Sequence, residues 1–472
     1  MSGASAAGGS PLHLRRQPLG AAAHAETLAP FLAGLSQPDA APGGSQRRIA
    51  VIGSGISGLS AAWALSSQAQ VSLFEAGDYF GGHTHSVDVE LERQHCAVDT
   101  GFLVFNERTY PLLIQLFAQL GVQTAASEMS FSVQLPKQDL EWSGSNLNTV
   151  FAQRRNLARP AFWRMLKDLL RFNQLTTALA QQGSETALAQ PIAAFLHEQR
   201  FGPEFRDWYL LPMVACIWSC PTAQMLSFPI STLIRFCHNH GLLQVTNRPQ
   251  WFTVRGGARH YVDQLLPRIA DRRLNTPVSA VRRLPDGGVQ LATAHGSERF
   301  DAVVLATHSD QSLRLLSEAS QAERQILGAI GYHRNRAVLH TDTALLPRRH
   351  RAWAAWNYEH GGGQQEQQAV CLHYLLNRLQ PLPWKQPVIV SLNPVREPRA
   401  EQVLGEYDYA HPVFDHAATR AQQRLGEIQG QGGLWFCGAW TRYGFHEDGL
   451  LSGLSVAQRL MASWAAATRT GA

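Results

Sequence analysis

Residues 48–84 constrain the fold more than any other stretch of the chain. They read Arg-Ile-Ala-Val-Ile-Gly-Ser-Gly-Ile-Ser-Gly-Leu from Arg48 and Val-Ser-Leu-Phe-Glu-Ala-Gly-Asp-Tyr-Phe-Gly-Gly-His-Thr from Val71. Ile49-Ala50-Val51-Ile52 is a short apolar run of the kind a strand buried on both faces requires. Gly53-Ser54-Gly55-Ile56-Ser57-Gly58 then turns strand into helix. Gly53 permits the tight turn, Gly55 lets a pyrophosphate approach the backbone, and Gly58 lets the helix lie close on the strand. The unpaired N–H groups at the helix start, around Ile56 and Ser57, favour phosphate charge. Glu75 ends a second strand about 22 residues after Gly53, where a carboxylate accepts hydrogen bonds from a ribose.

A glycine pattern by itself is weak evidence; the strand before it, the helix after it and the acid at this distance make it a dinucleotide signal. Gly81-Gly82-His83-Thr84, just past Glu75-Ala76, adds a second glycine turn that brings more backbone to the same pyrophosphate. That addition points to FAD held deep inside the protein.

At 472 residues the chain can hold two or three substructures, each with its own core. Its 45% hydrophobic and 16% charged residues are ordinary for a globular protein, and the net charge of +5 is almost wholly arginine. No run of like charge forms a nucleic-acid arm, so no nucleic-acid partner is expected; the charge does suit contact with an anionic membrane. The six cysteines contain no C-x-x-C pair, and no convincing export signal precedes them, Arg15-Arg16 included. Reduced thiols and a cytoplasmic location are expected. Cys216 and Cys220, His83 and His85, and His238 and His240 lack matching third and fourth ligands nearby, and no metal is expected.

Residues 1–46, rich in Ala, Gly, Ser and Pro, read as a disordered leader. Residues 151–243 are mainly helical and apolar, and 208–234 carry no charge. Pro212, Pro221 and Pro229 interrupt that run, so it reads as buried helices and turns, with Trp208, Tyr209, Trp218, Met225 and Phe228 available to line a cavity. Residues 161–179, with Phe162, Trp163, Leu166, Leu169 and Leu170 beside Arg164, Lys167 and Arg171, read either as core packing with a solvated face or as an interfacial helix. Residues 278–284 and 289–293 flank Asp286-Gly287-Gly288, a hairpin turn, and 300–306 form a buried strand. The closing segment 434–453 reads as a buried strand ending at Gly438, a loop, and a final helix beginning near Gly449. That helix start would stabilise negative charge on a reduced flavin.

With both ends in view, the chain resembles the FAD-dependent amine oxidase and phytoene desaturase superfamily over residues 47–465. The resemblance rests on the first glycine loop, Glu75, Gly81-Gly82, Arg255-Gly256-Gly257, the strand at Val278, residues 303–307 and residues 438–453. Gly444-Phe445-His446-Glu447-Asp448-Gly449, Tyr332-His333-Arg334-Asn335 and Trp356-Asn357-Tyr358 further resemble a bacterial and plant subgroup of predicted NAD/FAD-binding proteins, often encoded beside or fused to cyclopropane-fatty-acyl-phospholipid synthases. The resemblance implies an α/β fold: a doubly wound, glutathione-reductase-like FAD domain with a β-meander (47–110, 251–310, 406–472), interleaved with an α+β substrate domain (111–250, 311–405). It implies cofactor contacts at Gly53, Gly55, Ile56, Ser57, Gly58, Glu75, Ala76, Gly82, His83, Thr84, Val278, Gly438, Glu447, Asp448 and Leu450. Two departures stand out. Many amine oxidases place a lysine near the flavin on a strand aligning near Arg336, and no lysine lies between Lys167 and Lys385; Gly77 stands where relatives often carry arginine.

The expected function is therefore a flavin oxidoreductase removing hydride from an apolar substrate, in particular a methyl-branched or cyclopropane-type phospholipid acyl chain, with a lipid methyltransferase or cyclopropane synthase as partner. Polyene desaturase, protoporphyrinogen oxidase and amine oxidase are alternatives, as is a non-catalytic scaffold. His446 is the candidate for proton handling, or else a hydrogen bond that fixes its loop. Glu447 and Asp448 contact cofactor or cap the last helix. Tyr358, His333 and Asn335 are candidates on the substrate side.

Overall fold

The apolar run after Arg48 forms strand β1 (Arg48–Ile52), buried from its second residue onward. It pairs in parallel with β2 (Gln70–Phe74) on one side and with Ala302–Leu305 on the other. Asp271–Arg273 beyond β2 and Leu434–Phe436 beyond Ala302–Leu305 complete a five-stranded parallel sheet. Helix α2 (Ile56–Leu65) follows the glycine loop, and every residue in it is buried. Glycines set how closely the C-terminal helix His446–Thr470 crosses it: a Cβ added at Gly453 would lie 2.2 Å from the carbonyl oxygen of Ser57. The expected meander is present as Val278–Arg283, Val289–Thr293 and Gly296–Phe300, its first turn made by Gly287 and Gly288 at φ +87° and +82°. The computed structural model describes residues 21–35, 47–182, 188, 190–218, 222–243, 248–360 and 370–470.

The substrate side is built on a seven-stranded sheet in the order Val403–Pro412, Tyr332–His340, Ile389–Leu392, Cys371–Leu375, Trp356–Glu359, Phe131–Leu135, Leu140–Ser143. All neighbours are antiparallel except Trp356–Glu359 with Phe131–Leu135. Short helices from the uncharged run, Leu211–Trp218 and Ile230–Asn239, pack nearby, and among the described residues no helix is long and apolar enough to cross a membrane. Of the described cysteines, Cys96, Cys216, Cys237, Cys371 and Cys437 are free thiols; Cys220 lies outside the described residues.

Three expectations are corrected. Residues 21–34 of the supposed disordered leader form helix α1 (Ala21–Gly34), in which Ala25, Leu28 and Leu32, with Leu35 just beyond, are buried. Their three- and four-residue spacing is one helix face, hidden by Ala, Gly and Pro-rich flanks. The rest of the leader lies outside the described residues. Helix α3 (Pro111–Leu120) packs against α1 and the C-terminal helix on the FAD side, although 111 was expected to open the substrate domain. Its Gln115 amide donates to the Ala29 carbonyl at 2.8 Å and that of Gln119 to Leu32 at 3.1 Å. Finally, the expected boundary after residue 405 falls inside the strand Val403–Pro412, whose full pairing with Tyr332–His340 keeps it in the substrate sheet.

Candidate active site

The C-terminal ends of the parallel strands open onto one cavity of about 1830 Å³. Of the residues the resemblance names as cofactor contacts, Gly53, Gly55, Ile56, Ser57, Glu75, Ala76, Gly82, His83, Val278 and Gly438 lie together at one end. Gly53 adopts φ +98°, and a Cβ there would meet the Ala306 carbonyl oxygen at 2.9 Å. Gly58 does not line the cavity; a Cβ on it would lie 1.9 Å from the Gly53 carbonyl oxygen, so it holds the helix on the turn. The two glycine turns touch, since a Cβ on Gly82 would come within 3.0 Å of the Gly55 Cα. Gly55, which N-caps α2 without a side chain, faces open space instead. Glu75 accepts from the Ser54 N–H at 2.9 Å and hydroxyl at 2.5 Å, and from the Gly77 N–H at 2.8 Å. One of its two oxygens thus accepts a single bond and keeps capacity for a ligand hydroxyl.

A group of imidazoles lies next along the cavity. His83 is within 5.3 Å of His411, ring to ring, and 6.3 Å of His308; its buried Nε2 has no partner among the described residues and is available to a ligand acceptor or donor. Burial, followed by neighbouring imidazoles, holds His83 well below the usual histidine range and pushes His411 down to about 4. The Asn335 amide donates to His411 Nδ1 at 2.8 Å, which leaves the proton of the neutral ring on Nε2. Asn335 therefore reaches the cavity only through His411. His333 lies on the same strand, does not line the cavity, and is likewise held below its ordinary value by burial.

His446 does line the cavity. Its ring stacks on Phe102 at 3.8 Å and 11°, and its Nε2 meets the Tyr261 hydroxyl at 2.7 Å; Tyr261 in turn bonds Thr84. Thr84 thus supports this chain without lining the cavity itself. Burial pushes the His446 imidazole down to about 3, so it is neutral across the working pH range. Its folded value lies below the ordinary 6.5, so its contribution to stability is full above about 6.5 and is lost as pH falls toward 3. Substituting glutamine for His446 is expected to leave the shape of the turnover–pH profile unchanged between about pH 5 and 8. Disappearance of a limb near about pH 6.5 would instead give this imidazole a proton-transfer role.

Glu447, Asp448 and Leu450, also implied as cofactor contacts, do not line the cavity. Glu447 crosses to the start of α3 and accepts from the N–H groups of Leu112 at 2.8 Å and Leu113 at 3.0 Å. Asp448 accepts from the Phe445 N–H at 3.0 Å and lies 3.5 Å from Arg442. Leu450 is core. Tyr358 is also buried away from the cavity, whose wall ends at its neighbours Trp356 and Tyr374.

The remainder of the cavity is an apolar arm lined by residues such as Tyr110, Phe131, Trp142, Phe151, Tyr209 and Met213. Of the five side chains offered by the uncharged run, only Tyr209 lines it; Trp218, Met225 and Phe228 are core, and Trp208 packs under the Arg159 guanidinium. Phe102, His411 and Tyr261 escaped sequence reading, because an unremarkable aromatic or imidazole carries no local signal of a distant partner. Apart from this cavity, Glu359, Cys371 and His373 bring metal-ligating atoms together. His373 Nε2 there sits 2.9 Å from Glu359, and Arg396 pairs with the same carboxylate.

A model of the flavin containing amine oxidoreductases matches residues 56–365. The chain belongs to this family. It is an FAD-dependent oxidoreductase, and the open space over Gly55, the spare acceptor on Glu75 and the orphaned His83 nitrogen fit that cofactor. The carotenoid phi-ring synthase of Streptomyces griseus is 26% identical over 300 residues, covering 59% of this chain and 55% of that protein, so the match spans about half the relative's length. A CLA-producing fatty acid isomerase from P. acnes shares the fold at TM-score 0.64 and 15% identity, over 88% of this chain and 98% of that one. So does a putative protoporphyrinogen oxidase from Exiguobacterium, at 0.63 and 16%, over 89% and 100%. The first of the two departures noted in the sequence, the missing lysine, has a structural counterpart. Arg336 is turned away to Glu397 and Glu406, each at 2.8 Å, and the only lysine lining the cavity is Lys167, in the apolar arm.

Proposed function

We propose that this flavoprotein oxidises an acyl chain, removing hydride from a methyl-branched or cyclopropane-type chain of a phospholipid. The observation carrying this reading is the apolar arm, continuous with the dinucleotide end. A chain of methylenes needs apolar walls and few polar contacts, which Phe131, Trp142, Phe151 and Met213 supply. Bound FAD supplies the two-electron acceptor, with oxygen or another oxidant taking the electrons onward. Phe102 and His446 form a flat wall beside the cofactor end, held by Tyr261, and the neutral imidazoles add no charge to repel or trap an apolar substrate. The fatty acid isomerase among the structural neighbours supports an acyl chain on this fold. A lipid methyltransferase or cyclopropane synthase would supply such a substrate and is the partner this reading favours.

A second reading, a polyene desaturase, is favoured by the carotenoid phi-ring synthase relative. Both require a yellow protein that methyl-branched phospholipid, polyene or amine can be tested against anaerobically. Bleaching of the flavin absorbance by the phospholipid, and not by polyene or amine, is the expected result. Bleaching by polyene alone would select the second reading, and bleaching by amine alone would overturn both.

A further inference from the structure

Part of the apolar arm is wrapped by a collar that turns hydrophobic side chains outward. Helix α4 (Leu147–Val150) and helix α5 (Pro160–Gln182) form it. α5 buries Phe162, Met165 and Phe172, yet Trp163, Leu166 and Leu170 run at helical spacing along another face, where Trp163 is 49% and Leu170 58% exposed. Leu147 is 78% exposed and Leu157 52%. Four of the six exposed large hydrophobic side chains among the described residues therefore fall within residues 147–170. The Trp163 indole N–H donates to the Leu157 carbonyl at 2.9 Å, and its ring lies 5.4 Å from that of Phe151, so the residue is fixed in its outward pose. Leu147, Trp163 and Leu170 also line the cavity, which makes this patch the rim of its opening.

The same collar is strongly basic. Residues 147–171 carry five arginines and Lys167 against one acid, Asp168. Three of the arginines have carboxylate partners: Arg155 with Asp139, Arg164 with Glu204 and Arg171 with Asp168. Lys167 is exposed on the Trp163–Leu170 face, lines the opening, and has no ion pair among the described residues.

We infer that the collar docks on the anionic leaflet of a bilayer, with Trp163, Leu147 and Leu170 entering the acyl region and Lys167 at the depth of lipid phosphates. The inference rests on the acyl-chain reading and sharpens it: the substrate is an intact membrane lipid whose chain enters the arm tail first, while its headgroup stays at Lys167. An apolar rim with surplus cations matches an anionic leaflet and is poorly matched by a second copy of itself, which would oppose like charges.

The test is co-sedimentation of the FAD-loaded full chain with vesicles of equal parts phosphatidylglycerol and phosphatidylcholine. Binding is expected to weaken in pure phosphatidylcholine and at high salt. Lys167→Ala should lower partition about fivefold, the usual effect of one cation at such a surface. The double variant Trp163→Glu, Leu170→Glu should lower it at least about tenfold. Leu157→Glu, on the rim but outside the cavity, gives an independent loss. Flavin absorbance and melting temperature of each variant serve as folding controls. The inference is overturned if the parent protein stays in the supernatant, if the double and Leu157 variants sediment like the parent, or if the patch proves to hold a dimer that these variants dissolve. Vesicle binding without bleaching by branched phospholipid would keep the docking surface and remove the acyl-chain reading. Bleaching by detergent-dispersed lipid without vesicle binding would do the reverse.

Discussion

The Gly58→Val protein should be colourless and markedly less stable than the parent. A Cβ at this position would sit 1.9 Å from the Gly53 carbonyl oxygen and 3.0 Å from the Ala306 Cβ. The first obstacle is backbone in a turn that is itself pinned, because the Gly53 N–H donates to the Phe74 carbonyl at 2.8 Å. The helix must therefore lift, which carries its N–H groups away from the pyrophosphate. Overpacking costs about 1–3 kcal/mol where side chains can yield, and more against backbone. Loss of the cofactor removes a further ~4 kcal/mol at free FAD a thousandfold above its dissociation constant. Gly55→Ala is the informative contrast. Gly55 has φ −63° and open space around its absent Cβ, so alanine should leave the apoprotein's melting temperature nearly unchanged and still lower flavin occupancy. Full flavin content in the Gly58 variant, read from the visible-to-ultraviolet absorbance ratio, would show that the loop does not approach the cofactor as described.

Glu447→Ala should destabilise the protein by roughly 2–6 kcal/mol, because two buried N–H groups at the start of α3 lose their acceptor at about 1–3 kcal/mol each. Glutamine is expected to recover about half of that, since its amide oxygen can accept and its NH₂ cannot. The pH dependence separates capping from mere packing. Burial pushes the Glu447 carboxyl up to about 8, and Asp448 beside it up to about 6. Between the ordinary value near 4.5 and about 8 the folded protein holds a proton at Glu447 that the unfolded chain has released, so this contribution to stability falls as pH rises. The parent should lose melting temperature relative to Glu447→Gln as the buffer moves from pH 6 to about 9. Parallel curves for the two proteins would refute the buried-carboxyl account.

These two positions also show what a sequence can and cannot reveal. The role of Gly58 is legible because its obstacle, Gly53, is five residues away and the strand–turn–helix pattern fixes their geometry. The same locality made Glu75, Gly82 and the meander turn at Gly287-Gly288 readable. Glu447 sits in an equally recognisable motif, but its partners Leu112 and Leu113 are set by tertiary packing, so local reasoning aimed it at the cofactor or its own helix. Strand residues failed for a related reason. Trp356 and Tyr358 share one face of their strand, yet the cavity wall ends at the Trp356–Tyr374 pair and leaves Tyr358 in the core. Alternation gives the face of a strand and not where along it a cavity stops. Helix α1 was hidden by composition, since four apolar positions among many alanines and glycines bury little surface until α3 and the C-terminal helix are there to receive them.

The parallel sheet has a consequence for the order in which the protein can be completed during synthesis. β1, β2 and α2 leave the ribosome well before the outer strand Leu434–Phe436 and the helix that covers α2. At about 5–20 residues per second, the first glycine loop waits roughly 20–80 s for its cover. Throughout that interval the flank of α2 that the last helix buries, Ser57 and Ser60 included, is uncovered, and the cofactor has only half of its cradle. Premature termination anywhere before residue 446 should therefore yield an insoluble chain in preference to a partly active one.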